Sequence, residues 1–162
     1  RRELIDAEAE LAEELIMRLM EDVRSIINVV KEKPRKAYVY VASGWKRGLL
    51  ERTLSLLKEG RGREIGELIK WIISNKPELK KHAANLAKLQ IEIVSSLIQS
   101  YQPENLTAIA GRELEIYKSA ADFLTNELGI EFEIHSEDEE GLYDPKRKAL
   151  SALPLRPGIY LE

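Results

Sequence analysis

No cysteine occurs in this 162-residue chain, which removes disulfides, thiolate zinc sites and cysteine nucleophiles together. Aromatic residues make up only 6%, so a core has to be built mainly from Leu, Ile, Val and Ala. No apolar run approaches the roughly 20 residues that cross a bilayer, and the N-terminus lacks the charged-then-apolar layout of a signal peptide. The chain is therefore read as cytoplasmic, with no membrane partner. Neither His82 nor His135 has a second histidine four residues away, and both read as solvated surface. Gly60-Arg61-Gly62 lies between two helical patterns without a third glycine, so it reads as a turn rather than a phosphate loop. Ser43-Gly44-Trp45 lacks the flanking glycines and acid–base partner of a nucleophile on a tight turn; Ser43 reads instead as a helix cap. The run Glu137 to Glu140 reads as a solvated loop with no apolar neighbours to tune a carboxyl group. With catalytic, metal and cofactor constellations missing, no active site, metal or cofactor is expected in the chain.

What is present is charge, unevenly placed. A third of the residues are charged and the net charge is −3, but the average hides blocks of opposite sign. Residues 31–81 hold fourteen basic and six acidic groups, whereas residues 82–145 hold three and thirteen. Residues 146–162 return to four basic against one acidic. The two basic blocks are where a polyanion would be accepted.

Apolar periodicity gives the rest. Leu11, Leu15, Leu19, Val23, Ile26 and Val30 recur at threes and fours, extending back to Leu4, and describe a long helix that starts without an N-cap at Arg1-Arg2, as one cut from a larger bundle would. Pro34 ends it. Lys36-Ala37-Tyr38-Val39-Tyr40-Val41 alternates as a strand, with the tyrosines on one face and Ala37, Val39 and Val41 on the other. Further helices are expected around Leu49 to Leu57, Ile65 to Ile73, Pro77 to Tyr101 and Leu114 to Leu128, the last closed by Gly129. Pro103 to Gly111 fits either a short strand or a helical turn. Ile130, Phe132 and Ile134 alternate as a second strand, and Ile159-Tyr160-Leu161-Glu162 forms a third after the extended, proline-spaced segment from Pro154 to Pro157. The expected class is α+β: about five helices and three or so short strands, with a long stalk helix in front.

The ending Leu142-Tyr143-Asp144-Pro145-Lys146-Arg147-Lys148-Ala149, with Ala152-Leu153-Pro154-Leu155-Arg156-Pro157-Gly158-Ile159-Tyr160-Leu161-Glu162, resembles the terminus of archaeal and eukaryal leucyl-tRNA synthetases. The likeness continues through Ala121-Asp122-Phe123-Leu124, Glu127-Leu128-Gly129-Ile130-Glu131 and Lys36 to Ala42 followed by Trp45-Lys46. Arg18 to Ile26 is similar to that family's last anticodon-bundle helix. The resemblance implies two parts, residues 1–33 from the anticodon-binding bundle and residues 34–162 as a tRNA-binding domain. It also implies a parent enzyme that joins leucine to tRNA with ATP and Mg, through HIGH and KMSKS motifs that do not occur here. Leucine tRNA, with its long variable arm, is the implied partner. Arg156, Pro157, Gly158, Ile159, Tyr160, Leu161 and Glu162 match the tail expected at that arm's tip, where an extended backbone can read exposed bases. Lys146, Arg147 and Lys148, then Lys33, Arg35 and Lys36, then Lys46 and Arg47 are the expected phosphate contacts, with Trp45 available to stack. The rival reading is a protein-interaction module, since the Leu79-to-Leu97 stripe is nearly heptad and some relatives join multi-synthetase assemblies; another aminoacyl-tRNA synthetase would then be the partner. The isolated chain is expected to be monomeric.

Overall fold

The computed structural model describes residues 2–162, with side chains from Asp6 onward; the uncapped start at Arg1 and the Leu4 side chain lie outside the described residues. These form six α-helices: α1 (Arg2–Val29), α2 (Arg47–Lys58), α3 (Ile65–Asn75), α4 (Ala83–Leu97), α5 (Pro103–Ala110) and α6 (Glu113–Leu128). Three strands complete the α+β fold: β1 (Lys36–Val41), β2 (Glu131–Ser136) and β3 (Gly158–Leu161). No described helix is long and apolar enough to cross a membrane.

β1 is the middle strand, in the order β2-β1-β3. It runs parallel to β2, Lys36 opposite Glu131, and antiparallel to β3, Tyr38 opposite Tyr160. Alternation puts Ala37, Val39 and Val41 on one face with Phe132, Ile134, Ile159 and Leu161. That face joins the helices in one core with Leu15, Leu19, Leu50, Val94 and Leu124. Tyr38 and Tyr40 point the other way and are covered by Ala149, Ala152 and Leu142. A parallel pair cannot be joined by a tight turn, and α2 to α6 supply the crossover.

The long first helix packs against α5 and α6 and puts Leu11, Leu15, Leu19 and Val23 into the shared core. Pro103 sits at the first position of α5, with Glu104 in its first turn, which resolves the segment from Pro103 as helix. The helix expected from Pro77 to Tyr101 is instead a 3-10 turn, Pro77–Leu79, followed by α4. Three consecutive cationic or imidazole side chains, Lys80-Lys81-His82, are unfavourable where the helix dipole is positive, and the helix restarts beyond them. Leu79, Leu86, Gln90, Ile93 and Leu97 are all buried, so the near-heptad stripe is filled by the domain's own core and offers no face to a partner. Ser43 occupies a cap position but makes no side-chain cap bond. Its N–H is taken by the Glu137 carboxylate at 2.8 Å, and its hydroxyl is buried without a partner.

Residues 149 and 152–155 are buried although they belong to no long element. Buried irregular backbone must find hydrogen-bond partners. Leu153 exchanges backbone bonds with Arg156 (2.8 and 3.0 Å), the Ala152 N–H goes to the Ala149 carbonyl, and side chains from three helical positions provide further partners. Lys46 Nζ donates to the carbonyls of Leu150 (3.3 Å) and Ala152 (2.6 Å). Gln90 Nε2 donates to the Pro154 carbonyl at 3.1 Å. Glu113 Oε1 accepts the Leu155 N–H at 2.6 Å, while Tyr117 donates to Oε2 at 3.3 Å. Leu155 itself sits at φ 72, a left-handed conformation that a branched residue keeps only where its surroundings over-determine it.

Burial pushes the Glu113 carboxyl up to about 8, with the Leu155 N–H and Tyr117 hydroxyl opposing. A folded value above the ordinary 4.5 means this group's stabilisation is complete below about pH 4.5 and fades as pH rises through 8. Glu113→Gln keeps an acceptor for the Leu155 N–H and puts an amide donor where Oε2 accepts from the Tyr117 hydroxyl, which can itself accept, but it cannot ionise. Urea unfolding at pH 5 and at pH 8 should show the variant gaining on the wild type as pH rises; a constant difference between the two would contradict this assignment.

Candidate nucleic-acid interface

The C-terminal tail is docked as an edge strand. Glu162 and Lys36 exchange backbone bonds (3.0 and 3.1 Å), and the Arg35 N–H also reaches the Glu162 carbonyl at 2.8 Å. In an antiparallel pair, bonded and non-bonded residues alternate. With Lys36 opposite Glu162 a bonded pair, Tyr160 and Gly158 also bond to β1, and the backbone groups of Ile159 and Leu161 point to the free edge. Their side chains, with Pro157 and Gly158, turn into the domain. The tail therefore offers outward amides and carbonyls from Ile159 and Leu161, the ring of Tyr160 and the carboxylate of Glu162.

Around that edge the second sheet face gathers aromatic rings. Tyr38 stacks on Tyr160 at 5.9 Å between centroids and lies 5.0 Å from Tyr143. Tyr143 is 47% exposed. Hydroxyls of Tyr143 (2.6 Å) and Tyr160 (3.2 Å) donate to Glu162 Oε1, and Tyr38 donates to Oε2 at 3.3 Å. These bonds, that from Tyr143 above all, hold the Glu162 carboxyl below its ordinary value. Lys36 pairs with Glu133 and lies 5.2 Å from the Tyr38 ring centroid; with His135 it keeps the Glu133 carboxyl low. His135, read as solvated, is held between Glu133 and Glu139. Lys33 and Arg35 are exposed and carry no ion pair among the described residues. Sequence reasoning misses Tyr143 at this surface; its place three residues past the acidic run carries no periodic signal.

Lys46 is a correction. Its side chain is 1% exposed and paired with Glu137 at 3.0 Å, and its remaining bonds go to the carbonyls described above. It cannot meet a phosphate. Burial pushes its ammonium down and Glu137 opposes that shift. Glu137 is thus no solvated loop residue but the counterion of a buried lysine. Trp45 is half-buried, stacked on Trp71 at 5.9 Å, with Lys76 Nζ at the same distance from its centroid. Arg47, the residue after Lys46, is exposed. Arg156 is half-exposed and 3.7 Å from Asp22, and Arg61, another basic residue, is closed off by Glu59, Glu64 and Glu67.

Lys146, Arg147 and Lys148 are exposed and unpaired among the described residues. They lie against the start of α4 rather than beside the tail carboxylate, in a groove they share with His82 and Asn85. No three His, Asp or Glu side chains converge as a metal site would require among the described residues. The expected contacts thus fall in several places: the β3 edge with Arg35; the β2 side of β1, where Lys33 Nζ lies beside Gly129 and Lys36 pairs with Glu133; the Lys146–Lys148 groove; and the Trp45–Arg47 turn.

No protein-family model matches the chain. It is 38% identical over 162 residues to the leucine–tRNA ligase of Methanococcoides burtonii, covering 98% of this chain and 16% of that protein. The leucine–tRNA ligase of Methanosarcina barkeri is 36% identical with the same coverages, and that of Methanocaldococcus jannaschii is 36% identical over 163 residues, 100% of this chain and 15% of its own length. Over the part they share, the chain belongs to the leucyl-tRNA synthetases. It spans about one-sixth of the length of these relatives. The run from Ala152 to Leu155, part of the ending that resembles that synthetase family, is buried backbone held by Lys46, Gln90 and Glu113, so the resemblance there reflects packing.

Breaking a buried ion pair leaves an uncompensated charge and typically costs about 3–5 kcal/mol. Lys46→Ala should therefore lower the unfolding free energy by that amount, while exposed Arg47→Ala should change it by less than about 0.5 kcal/mol. Equal melting of the two variants in thermal denaturation would place Lys46 at the surface after all.

Proposed function

We propose that this chain is the tRNA-binding C-terminal portion of a cytoplasmic leucyl-tRNA synthetase, with residues 1–33 closing the anticodon-binding bundle and residues 34–162 meeting the long variable arm of leucine tRNA. The observation that carries this reading is the β3 edge. Outward backbone groups of Ile159 and Leu161, the exposed ring of Tyr143, the half-buried ring of Tyr160 and the cation Arg35, unpaired among the described residues, all adjoin it. Single-stranded loops are read by stacking on aromatic rings and by hydrogen bonds to unpaired base edges, with nearby cations on the backbone. That the relatives named above are leucine–tRNA ligases, matched over nearly the whole chain, supports leucine tRNA as the RNA in question. Leucylation itself, with ATP and Mg, belongs to the upstream body of such an enzyme. The chain contributes affinity and selection of a long-armed tRNA.

Deleting residues 158–162 would remove β3 and unpair β1, so side-chain changes test the reading better. In the full-length ligase, Arg35→Ala combined with Tyr160→Ala should lower leucylation kcat/KM for tRNA about 10- to 100-fold, the scale of one lost stack of about 1–3 kcal/mol. Leucine-dependent ATP–pyrophosphate exchange should be unchanged. Equal loss of both activities would mean that this edge stabilises the body, and no loss of either would direct the search to protein partners.

A further inference from the structure

The groove beside Lys146, Arg147 and Lys148 has a volume of about 400 Å³. Its other wall is the first turn of α4, presenting His82 and Asn85, and the exposed Lys80 and Lys81 precede that turn. None of these lysines or Arg147 has an acidic partner among the described residues, and α4 has no acidic residue in its first turn. The nearest acid in sequence, Asp144, is occupied by backbone, accepting the N–H groups of Lys148 (2.8 Å) and Ala149 (3.0 Å). The Arg147 N–H goes to the Asp144 carbonyl at 3.2 Å, and Ser151 Oγ donates to the Lys148 carbonyl at 2.7 Å. These bonds fix the loop, with Arg147 at φ 53, so its three cations are presented without a long search for a binding geometry. A concave site with cations on one wall, hydrogen-bonding side chains on the other and no protein anion suits phosphate.

We propose that this groove seats backbone phosphates of the same RNA whose bases meet the β3 edge, which makes His82 and Asn85 RNA contacts; the inference rests on the tRNA-binding reading. Position favours a polymer over a free anion. Lys148 abuts Gly158 at the start of β3, where an added Cβ would collide with the Lys148 carbonyl oxygen, and Arg35 adjoins its end. At about 3.3 Å per residue, the two sites lie at opposite ends of one short strand, within the reach of a few nucleotides.

The test is equilibrium binding of leucine tRNA to the full-length ligase across a salt series. His82→Glu with Asn85→Asp puts negative charge on the α4 wall at exposed positions where acids favour the helix, so lost binding would not come from lost folding. This pair should weaken binding about tenfold at low salt. Lys146→Ala with Lys148→Ala should lower the slope of log affinity against log salt by about 1.4, near 0.7 for each phosphate on a single strand. Combining both pairs should cost less than the product of the separate effects, because they share phosphates. Groove variants that bind like the wild type, while Arg35→Ala with Tyr160→Ala weakens binding, would overturn the groove assignment alone. If none of the variants weakens binding, the tRNA-binding reading fails and this inference with it. Inorganic phosphate that displaces the tRNA far better than chloride at equal ionic strength would assign the groove to free phosphate and overturn the RNA assignment.

Discussion

Everything at the C-terminal end of this molecule depends on burying a stretch of irregular backbone. Residues 152–155 run through the interior with only the Leu153–Arg156 bridge and one turn bond between backbone groups, and each orphaned donor or acceptor there would cost about 1–3 kcal/mol. Lys46, Gln90 and Glu113, three of the six buried polar or charged side chains among the described residues, are all directed at this stretch and its neighbour Leu150. They come from the start of α2, the middle of α4 and the start of α6. A single run of chain is thereby fastened to most of the helical layer. Its two exits are then fixed: upstream the cationic loop at Lys146–Lys148, downstream β3 on the edge of the sheet.

That arrangement explains how a chain of net charge −3 can offer a surface to a polyanion. Part of the acidic charge is internal or paired. Glu137 neutralises Lys46, Glu133 pairs with Lys36, and Glu59, Glu64 and Glu67 surround Arg61. Near β3, Arg35 is left without an ion pair among the described residues. The sheet divides the labour between its faces: aliphatic side chains of β1 anchor it to the helices, while Tyr38 supports Tyr143 and Tyr160 on the other side.

Much of the fold is legible in the sequence, because the elements announce themselves by period. Lys36 to Val41 alternates cleanly and forms β1 over those residues, with its tyrosines and aliphatics on the expected faces. Gly129 ends α6 at φ 70, as only glycine does readily. α5 is ambiguous because eight residues hold too few turns to separate helix from strand. The site is much less legible. Lys46 reads like its neighbour Arg47 until the fold puts one inside and the other outside; charge in a sequence carries no burial. The pairing of Lys46 with Glu137, 91 residues on, and the meeting of Lys146–Lys148 with His82 are tertiary facts with no local signature. Glu113 sits among acidic helix residues of ordinary appearance, and only the left-handed Leu155 beside it reveals its role.

The claim that buried side chains position the C-terminal strand can be tested by amide hydrogen exchange in Glu113→Leu, which removes the acceptor of the Leu155 N–H without leaving a cavity. Faster exchange of the Leu155, Tyr160 and Glu162 amides together, with α3 unaffected, is the expected result. Unchanged protection of Tyr160 and Glu162 would contradict the account, since β3 would then hold its place on β1 without the buried segment behind it.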